Sequence, residues 1–258
     1  MRRVELVWGS AISIELRDPA DVSVLDEVFE WFDLVDRLFS TWREDSEITR
    51  FANGQLEFDA LDDNVVTVLE LAEILRIDTN GAFDIRATAA LPEPHGPGWC
   101  AIDPSGLVKG WAVERAAAML ERFGAVDFWI DAGGDVVTRG TAPTGKSWRI
   151  GIQHPWQRDV VAAIVSVGNG AVATSGRYER GEHVICPRTG EPSRGLASVT
   201  VVGDDLARAD AYATAVMALG VDGLDWLANR DDIDAMVITD DEVVWTTPHF
   251  ARWRVDSH

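Results

Sequence analysis

Residues 128–135 have the sequence FWIDAGGD, in which an apolar run typical of a strand meets a pair of glycines. Glycine readily adopts the positive φ of a tight turn, so this segment predicts a strand followed by a hairpin turn. A glycine pair also lets the backbone approach a ligand closely. Taken alone, the segment favours a plain hairpin with Asp131 and Asp135 exposed to solvent.

Short apolar segments of the same kind recur along the chain. They cover residues 148–152, 160–167, 198–202 and 235–238, and turns separate them. Residues 5–16 alternate in part between apolar and polar side chains and predict one strand with a glycine break. We therefore predict an α+β fold over residues 1–258: a single mixed domain that could divide into two lobes, with a mostly antiparallel sheet and packed helices.

Four segments predict helices, chiefly because apolar residues recur at helical spacing. The first follows Asp21, a candidate N-cap, and extends to Leu38, and the second spans residues 64–76. The third follows Gly106 and ends near Gly124, and the fourth covers residues 210–219. Residues 90–99 are rich in proline and glycine and predict a loop.

The charge and composition exclude several classes of protein. The chain has 258 residues, with 23 Lys and Arg against 43 Asp and Glu, and a formal net charge of −20. This charge argues against a nucleic-acid groove and against an anionic membrane surface, because both need a basic face. No segment approaches the ~20 consecutive apolar residues of a membrane helix, and Cys100 and Cys186 do not suggest a disulfide scaffold. Without a signal-peptide pattern or a transmembrane segment, we expect a cytoplasmic protein.

The segment DPSGLVKG at residues 103–110 is a turn of small residues that opens into a helix. Such a turn exposes backbone N–H groups, and a helix N-terminus attracts anions. Lys109 adds a positive charge, so the segment suits a phosphate group, although the spacing of a Walker loop is absent. The alternative interpretation is a capped helix start with Lys109 on the surface.

Asp210 and Thr214 lie four residues apart in the predicted fourth helix, which places both side chains on one face. A carboxylate and a hydroxyl are hard oxygen donors that suit Mg²⁺, which completes its shell with water and phosphate oxygens. The alternative is an aspartate at a helix start beside a threonine bonded to its own backbone. No CxxC or HExxH array is present, so a zinc site is not expected.

His183 begins a short apolar segment that ends in a turn rich in proline and glycine, and it follows the segment TSG at residues 174–176. A histidine in such a place can act as a general base near neutral pH. The alternative is a structural histidine. Ser175 does not stand in a GxSxG sequence, so a hydrolase nucleophile is unsupported.

Seven segments, in their order along the chain, resemble the motifs of the ApbE family of FAD:protein FMN transferases. They are LFSTWREDSEI at 38–48, GAFDI at 81–85, DPSGLVKGWA at 103–112, AGGD at 132–135, TSG at 174–176, HVICPRTG at 183–190 and DAYAT at 210–214. The resemblance spans nearly the whole chain. Each segment is modest by itself, and their common order makes the signal specific.

The resemblance implies a role for each matching position. Mg²⁺ would be held by Asp210, Thr214 and the backbone carbonyl of Gly106, and His183 would be the catalytic base. The residues implied to contact FAD are Trp8, Trp42, Ala82, Phe83, Asp84, Asp103, Lys109 and the backbone of Ser198. Of these, Trp8 and Trp42 would pack on the rings, and Asp103 and Lys109 would act with the diphosphate near the metal.

The implied reaction is a phosphoryl transfer. A Thr or Ser hydroxyl of an acceptor flavoprotein attacks the FMN-side phosphorus of FAD, FMN becomes esterified to the protein, and AMP leaves. Two alternatives stay open, an Mg²⁺-dependent FAD pyrophosphatase that releases FMN and AMP, and a non-catalytic FAD-binding protein. Three positions depart from the family pattern: Cys186 replaces an aspartate, and Trp8 and Ser10 replace a methionine and a threonine.

Overall fold

An antiparallel sheet of eight strands forms the centre of the fold in the computed structural model, which describes residues 1–18, 23–87, 100–176 and 184–255. In spatial order its strands are β1 (Arg2–Val7), β2 (Ser10–Leu16), β3 (Phe128–Ala132), β4 (Asp135–Arg139), β7 (Gly170–Gly176), β8 (Leu196–Gly203), β9 (Asp234–Thr239) and β10 (Val244–Thr246). A second antiparallel sheet has the order β11 (Arg254–Val255), β6 (Val161–Val167) and β5 (Trp148–Gln153).

The described helices are α1 (Ser23–Phe39), α2 (Glu47–Ala52), α3 (Asp63–Asp78), α4 (Ser105–Arg122), α5 (Leu206–Leu219) and α6 (Gly223–Ala228). Single 3₁₀ turns occupy Phe58–Ala60, Gly220–Asp222 and Phe250–Arg252. Helix α1 buries a stripe that includes Leu25, Val28, Phe32 and Val35, because these residues recur every three or four positions. Helix α5 is buried almost all round, which places it in the interior beside α4.

The strands of the large sheet bury both faces. Ala173 and Val201 point towards the helices, whereas their neighbours Val172 and Val202 point the other way. The second set packs against Val165 of the small sheet and closes a second core. The fold therefore has three layers, with helices on one face of the large sheet and the small sheet on the other.

The sequence predictions hold for the class and for most elements. The α+β fold with a mostly antiparallel sheet is confirmed, as are α1, α3 and α4 to within a few residues. Helix α5 begins earlier than predicted because the side chain of Asp205 accepts from the N–H of Arg208 and caps it. The loop predicted at residues 90–99 and the predicted cap Asp21 lie outside the described residues. None of the described helices is both long and apolar enough to cross a bilayer.

One strand prediction was wrong in a specific way. Residues 5–16 belong to a hairpin of β1 and β2 rather than to one interrupted strand. Trp8 and Gly9 both have positive φ, 54° and 72°, which is the backbone of a two-residue hairpin turn. The sequence hides this turn because a tryptophan rarely adopts positive φ.

The register of the large sheet brings several chain reversals to one edge. The turn between β1 and β2 and the turn between β3 and β4 lie there, because Ile12 pairs with Ala132. The end of β7 and the start of β8 reach the same edge, where Gly176 pairs with Ser198. The antiparallel order therefore gathers residues from distant parts of the sequence at this edge.

Candidate active site

A cleft opens where β7 ends, beside the first turns of α4. The described residues that line it come from the segment after α3, the start of α4, the end of β7, a loop near residue 185 and the inner face of α5. They are Ala82, Phe83, Asp84, Ile85, Ala87, Asp103, Ser105, Gly106, Lys109, Thr174, Ser175, Gly176, Val184, Ile185, Pro187, Asp210, Thr214 and Ala218.

Helices α4 and α5 cross in close contact beside the cleft. The backbone N–H of Gly110 donates to Oδ2 of Asp210 over 3.0 Å. A Cβ at Gly110 would lie 2.5 Å from the carbonyl oxygen of Leu206, so only glycine fits there. One turn earlier, a Cβ at Gly106 would lie 3.0 Å from Oγ1 of Thr214. The two glycines therefore allow the start of α4 to lie against the polar face of α5.

This polar face carries hard oxygen donors. Asp210 is 6% exposed, and Thr214 lies one turn further along α5. Oγ1 of Thr214 is 3.4 Å from Oγ of Ser175 at the end of β7. No group of three or more His, Cys, Asp or Glu side chains that could hold a metal occurs in the described part of the chain. One carboxylate with hydroxyl and carbonyl oxygens fits Mg²⁺, which keeps several water or phosphate ligands.

The ammonium of Lys109, which lines the cleft, pairs with a buried carboxylate. Nζ of Lys109 lies 2.6 Å from Oδ2 of Asp135, which is only 1% exposed. The other carboxylate oxygen, Oδ1, accepts from the N–H of Thr174 over 2.9 Å. The prediction that both aspartates of the hairpin are exposed was therefore wrong: Asp135 is buried because its side chain turns inward towards α4, and Asp131 is partly buried. Asp131 caps the turn by accepting from the N–H of Gly134, and burial together with nearby Asp135 raises its pKa.

The turn that follows α3 is fixed by a hydroxyl and by a buried network. Oγ1 of Thr79 accepts from the N–H of Phe83 over 3.0 Å. Just before this turn, Asp78 accepts from the Tyr212 hydroxyl over 2.5 Å and from Arg230 over 2.8 Å. Burial and this hydrogen bond raise the pKa of Tyr212 to about 12, and against the effect of burial the two donors lower the pKa of Asp78. The network ties the turn that lines the cleft to the middle of α5.

The start of α4 is tied to the same turn. The N–H of Asp103 donates to the carbonyl of Ile85 over 2.7 Å. Oδ1 of Asp103 accepts from the N–H of Ser105, the first residue of α4. The first turns of an 18-residue helix therefore lie at the cleft, and the positive end of the helix dipole favours an anion there.

The charges of the lining are unbalanced. Lys109 is the only cationic side chain among the described lining residues, whereas Asp84, Asp103 and Asp210 supply carboxylates. Asp135 pairs with Lys109 and Arg86 pairs with Asp84, so among the described lining residues the surplus of negative charge that a polyanion would meet comes from Asp103 and Asp210. A divalent cation between the carboxylates and the polyanion would remove that repulsion.

The structure brings most of the predicted site residues together. Ala82, Phe83, Asp84, Asp103, Gly106, Lys109, Asp210 and Thr214 all line the cleft. Three others lie apart from the described lining. Trp8 packs edge-on against Phe32 with ring centroids 5.3 Å apart, Trp42 is 75% exposed, and the buried Oγ of Ser198 has no hydrogen-bond partner among the described residues. The predicted catalytic base, His183, lies outside the described residues.

Sequence reasoning missed three residues that shape the site. They are Asp135, Tyr212 and Asp78. The AGGD segment marked Asp135, but its burial follows from the position of α4, which the local sequence does not encode. Tyr212 stood between the two predicted metal ligands, and nothing in the sequence connected it to Asp78.

The chain is similar in sequence to proteins of one family over most of its length. The sequence profile of the ApbE family matches residues 8–92 and 95–237. An FAD:protein FMN transferase of Klebsiella pneumoniae strain 342 is 27% identical over 278 aligned positions, which cover 86% of this chain and 79% of that protein.

Solved structures show the same architecture. A flavin transferase ApbE from Vibrio cholerae superposes with a TM-score of 0.84 at 26% identity and covers 98% of both chains. The apo form of the Pseudomonas stutzeri flavinyl transferase ApbE gives a TM-score of 0.83 at 26% identity, over 98% of this chain and 96% of that one.

Proposed function

The chain belongs to the ApbE family, and we propose that it is an FAD:protein FMN transferase that uses Mg²⁺. It moves FMN from FAD to a Thr or Ser hydroxyl of an acceptor flavoprotein. The observation that carries this function is the convergence in one cleft of the hard oxygens of α5, the ammonium of Lys109 and the first turns of α4. Diphosphate chemistry needs this combination of metal ligands and anion-binding groups.

The dinucleotide is held by groups that differ in their task. The turn at Ala82, Phe83 and Asp84 supplies one wall of the cleft, and its fixed backbone presents a preformed surface. The positive end of the α4 dipole and the ammonium of Lys109 face the diphosphate. Because these groups are already in place, little ordering free energy is lost when FAD binds.

Asp210, Thr214 and the carbonyl of Gly106 are the residues that would hold Mg²⁺. When bound, the ion neutralises charge on the diphosphate and orients the leaving group. The contact between Gly106 and Thr214 supports this set, because it brings the start of α4 to the hydroxyl of α5. The bond from Gly110 to Oδ2 of Asp210 fixes the rotamer of the carboxylate.

The transfer of FMN needs no reactant besides FAD and the hydroxyl of the acceptor. The acceptor oxygen forms a bond to the FMN-side phosphorus, and the bond from that phosphorus to the bridging oxygen breaks, so that AMP leaves. The proton of the hydroxyl passes to a base, for which the family resemblance supplies His183. Val184 and Ile185, which follow it in the chain, line the cleft.

One incubation tests the function against its two alternatives. FAD and Mg²⁺ are added to the protein with and without an acceptor flavoprotein, AMP is quantified, and the acceptor is weighed by mass spectrometry. We expect AMP only when the acceptor is present, with one esterified FMN added to it. AMP without acceptor would instead indicate a pyrophosphatase, and tight FAD binding without AMP would indicate a binding protein.

A further inference from the structure

Asp135 is a buried carboxylate with two separate partners. It is the first residue of β4 and is 1% exposed. Oδ2 lies 2.6 Å from Nζ of Lys109 in α4, and Oδ1 accepts from the N–H of Thr174 in β7. Both partners line the cleft, whereas Asp135 lies behind them.

Stability alone does not explain this ion pair. Burying a carboxylate and an ammonium costs several kcal/mol per ion, and an apolar pair of similar volume often stabilises a fold as well or better. A buried pair whose cation reaches into a cleft is therefore better explained by what the cation does there. Lys109 has 20% of its side chain exposed, on the side of the cleft.

The second partner has its own geometric reason. In the ladder of β4 and β7, Val136 faces Val172, so the antiparallel register would place Thr174 opposite Gly134 in the hairpin turn. The carboxylate of Asp135 takes the N–H of Thr174 where the backbone ladder ends. This bond fixes the end of β7, where Ser175 lies 3.4 Å from Thr214.

From this geometry we infer that Asp135 is a positioning residue. It aims the ammonium of Lys109 at the diphosphate and holds the end of β7 beside the metal ligands. The inference rests on the proposed function for the identity of the ligand. It does not make Asp135 a catalytic residue, because its carboxylate lies behind Lys109 and acts through it.

A double-mutant cycle distinguishes an effect of Asp135 on the position of Lys109 from a general effect of Asp135 on the fold. The variants are Asp135→Asn, Lys109→Met and the double variant, and the asparagine keeps an oxygen for the N–H of Thr174. We expect Asp135→Asn to lower kcat/KM for FAD by ~10-fold, and by less than ~2-fold when Lys109 is already methionine, because residues that act as one unit are not additive. Asp234→Asn is the matched control, since Asp234 is equally buried, is the first residue of β9, and pairs with Arg252 outside the described lining of the cleft.

Two results would overturn the inference. An equal loss from Asp135→Asn in both backgrounds would assign the residue to support of the fold. An unchanged or higher kcat/KM in Asp135→Asn would show that the carboxylate only offsets the charge of the lysine.

A third measurement needs no FAD and therefore separates this inference from the proposed function. The chain has two lysines, Lys109 and Lys146, so mass spectrometry after mild acylation reports each of them. We expect Asp135→Asn to raise the acylation of Lys109 relative to Lys146, because the ion pair shields the ammonium from the reagent. An unchanged ratio would contradict the positioning role even in a protein that transfers FMN, whereas a wild-type protein that does not turn over FAD contradicts only the function.

Discussion

The N–H of Gly110 donates to Oδ2 of Asp210 over 3.0 Å, and this bond joins the helix that carries Lys109 to the helix that carries Thr214. The two helices come close enough only because position 110 has no side chain. The cleft therefore depends on one glycine and one carboxylate that are 100 residues apart in the sequence.

Substitution of this glycine tests that dependence. In Gly110→Ala the new Cβ meets the backbone of Leu206, so the helices must separate. We expect a loss of about 1–3 kcal/mol in the free energy of unfolding, as in other overpacked cores, together with a loss of FAD turnover. Urea denaturation measures the first effect.

The control for this variant is Gly151→Ala in β5, where the nearest atom to a Cβ is 3.5 Å away. Similar destabilisation in both variants would mean that the helix crossing is not tightly packed.

The carboxylate of Asp210 is expected to matter for its charge. Asp210→Asn keeps an oxygen for the N–H of Gly110, so the fold should be retained. We expect Mg²⁺-dependent turnover of FAD to fall by at least ~100-fold, because several kcal/mol of charge stabilisation is lost with the ion. Turnover near the wild-type rate, measured as AMP release, would remove Asp210 from the metal site.

Substitution of His183 tests the base that the family resemblance implies. In His183→Ala we expect the rate of FMN transfer to fall by ~10²–10⁴-fold while the affinity for FAD changes little, since general-base catalysis acts on the rate. His154→Ala is the control, because His154 lies in the turn after β5. A loss of FAD affinity with an unchanged transfer rate would make His183 a binding residue.

The sequence predicts the elements whose apolar or polar residues recur at a regular spacing. Helices α1 and α3 follow from their apolar spacing, and the placement of Asp210 and Thr214 on one face of α5 follows from their spacing of four residues. The sequence does not predict that the side chain of Asp135 points into the protein, since its direction depends on how α4 packs on the sheet. The same holds for the positive φ of Trp8, which is set by the hairpin as a whole rather than by the preference of tryptophan.

The network of Tyr212 predicts how stability changes at high pH. Burial and the bond to Asp78 raise the pKa of Tyr212 from 10.0 to about 12 in the folded protein. A pKa raised by folding stabilises the folded state at every pH below the unfolded value, and this contribution is lost as the pH rises from 10.0 to about 12. We expect the free energy of unfolding to decline over this window in the wild type.

Tyr212→Phe removes the titrating group and is the variant to compare. Its stability should be lower than that of the wild type near neutral pH, because Asp78 and Arg230 lose a hydrogen-bond partner. The decline above about pH 10 should be correspondingly smaller. Denaturation curves at several alkaline pH values measure both effects, and parallel declines in the two proteins would refute the role of Tyr212.

The proposed function requires a divalent cation that joins the carboxylate of Asp210 to the diphosphate of FAD. Isothermal titration calorimetry of FAD into the wild-type protein, with Mg²⁺ and then with EDTA, tests it most directly. We expect the affinity with EDTA to be lower by ~10-fold or more, because the acidic lining then repels the diphosphate. Asp210→Asn with Mg²⁺ should also bind FAD more weakly than the wild type with Mg²⁺, because the ion loses a protein ligand. An affinity for FAD that is equal with Mg²⁺ and with EDTA would contradict the account.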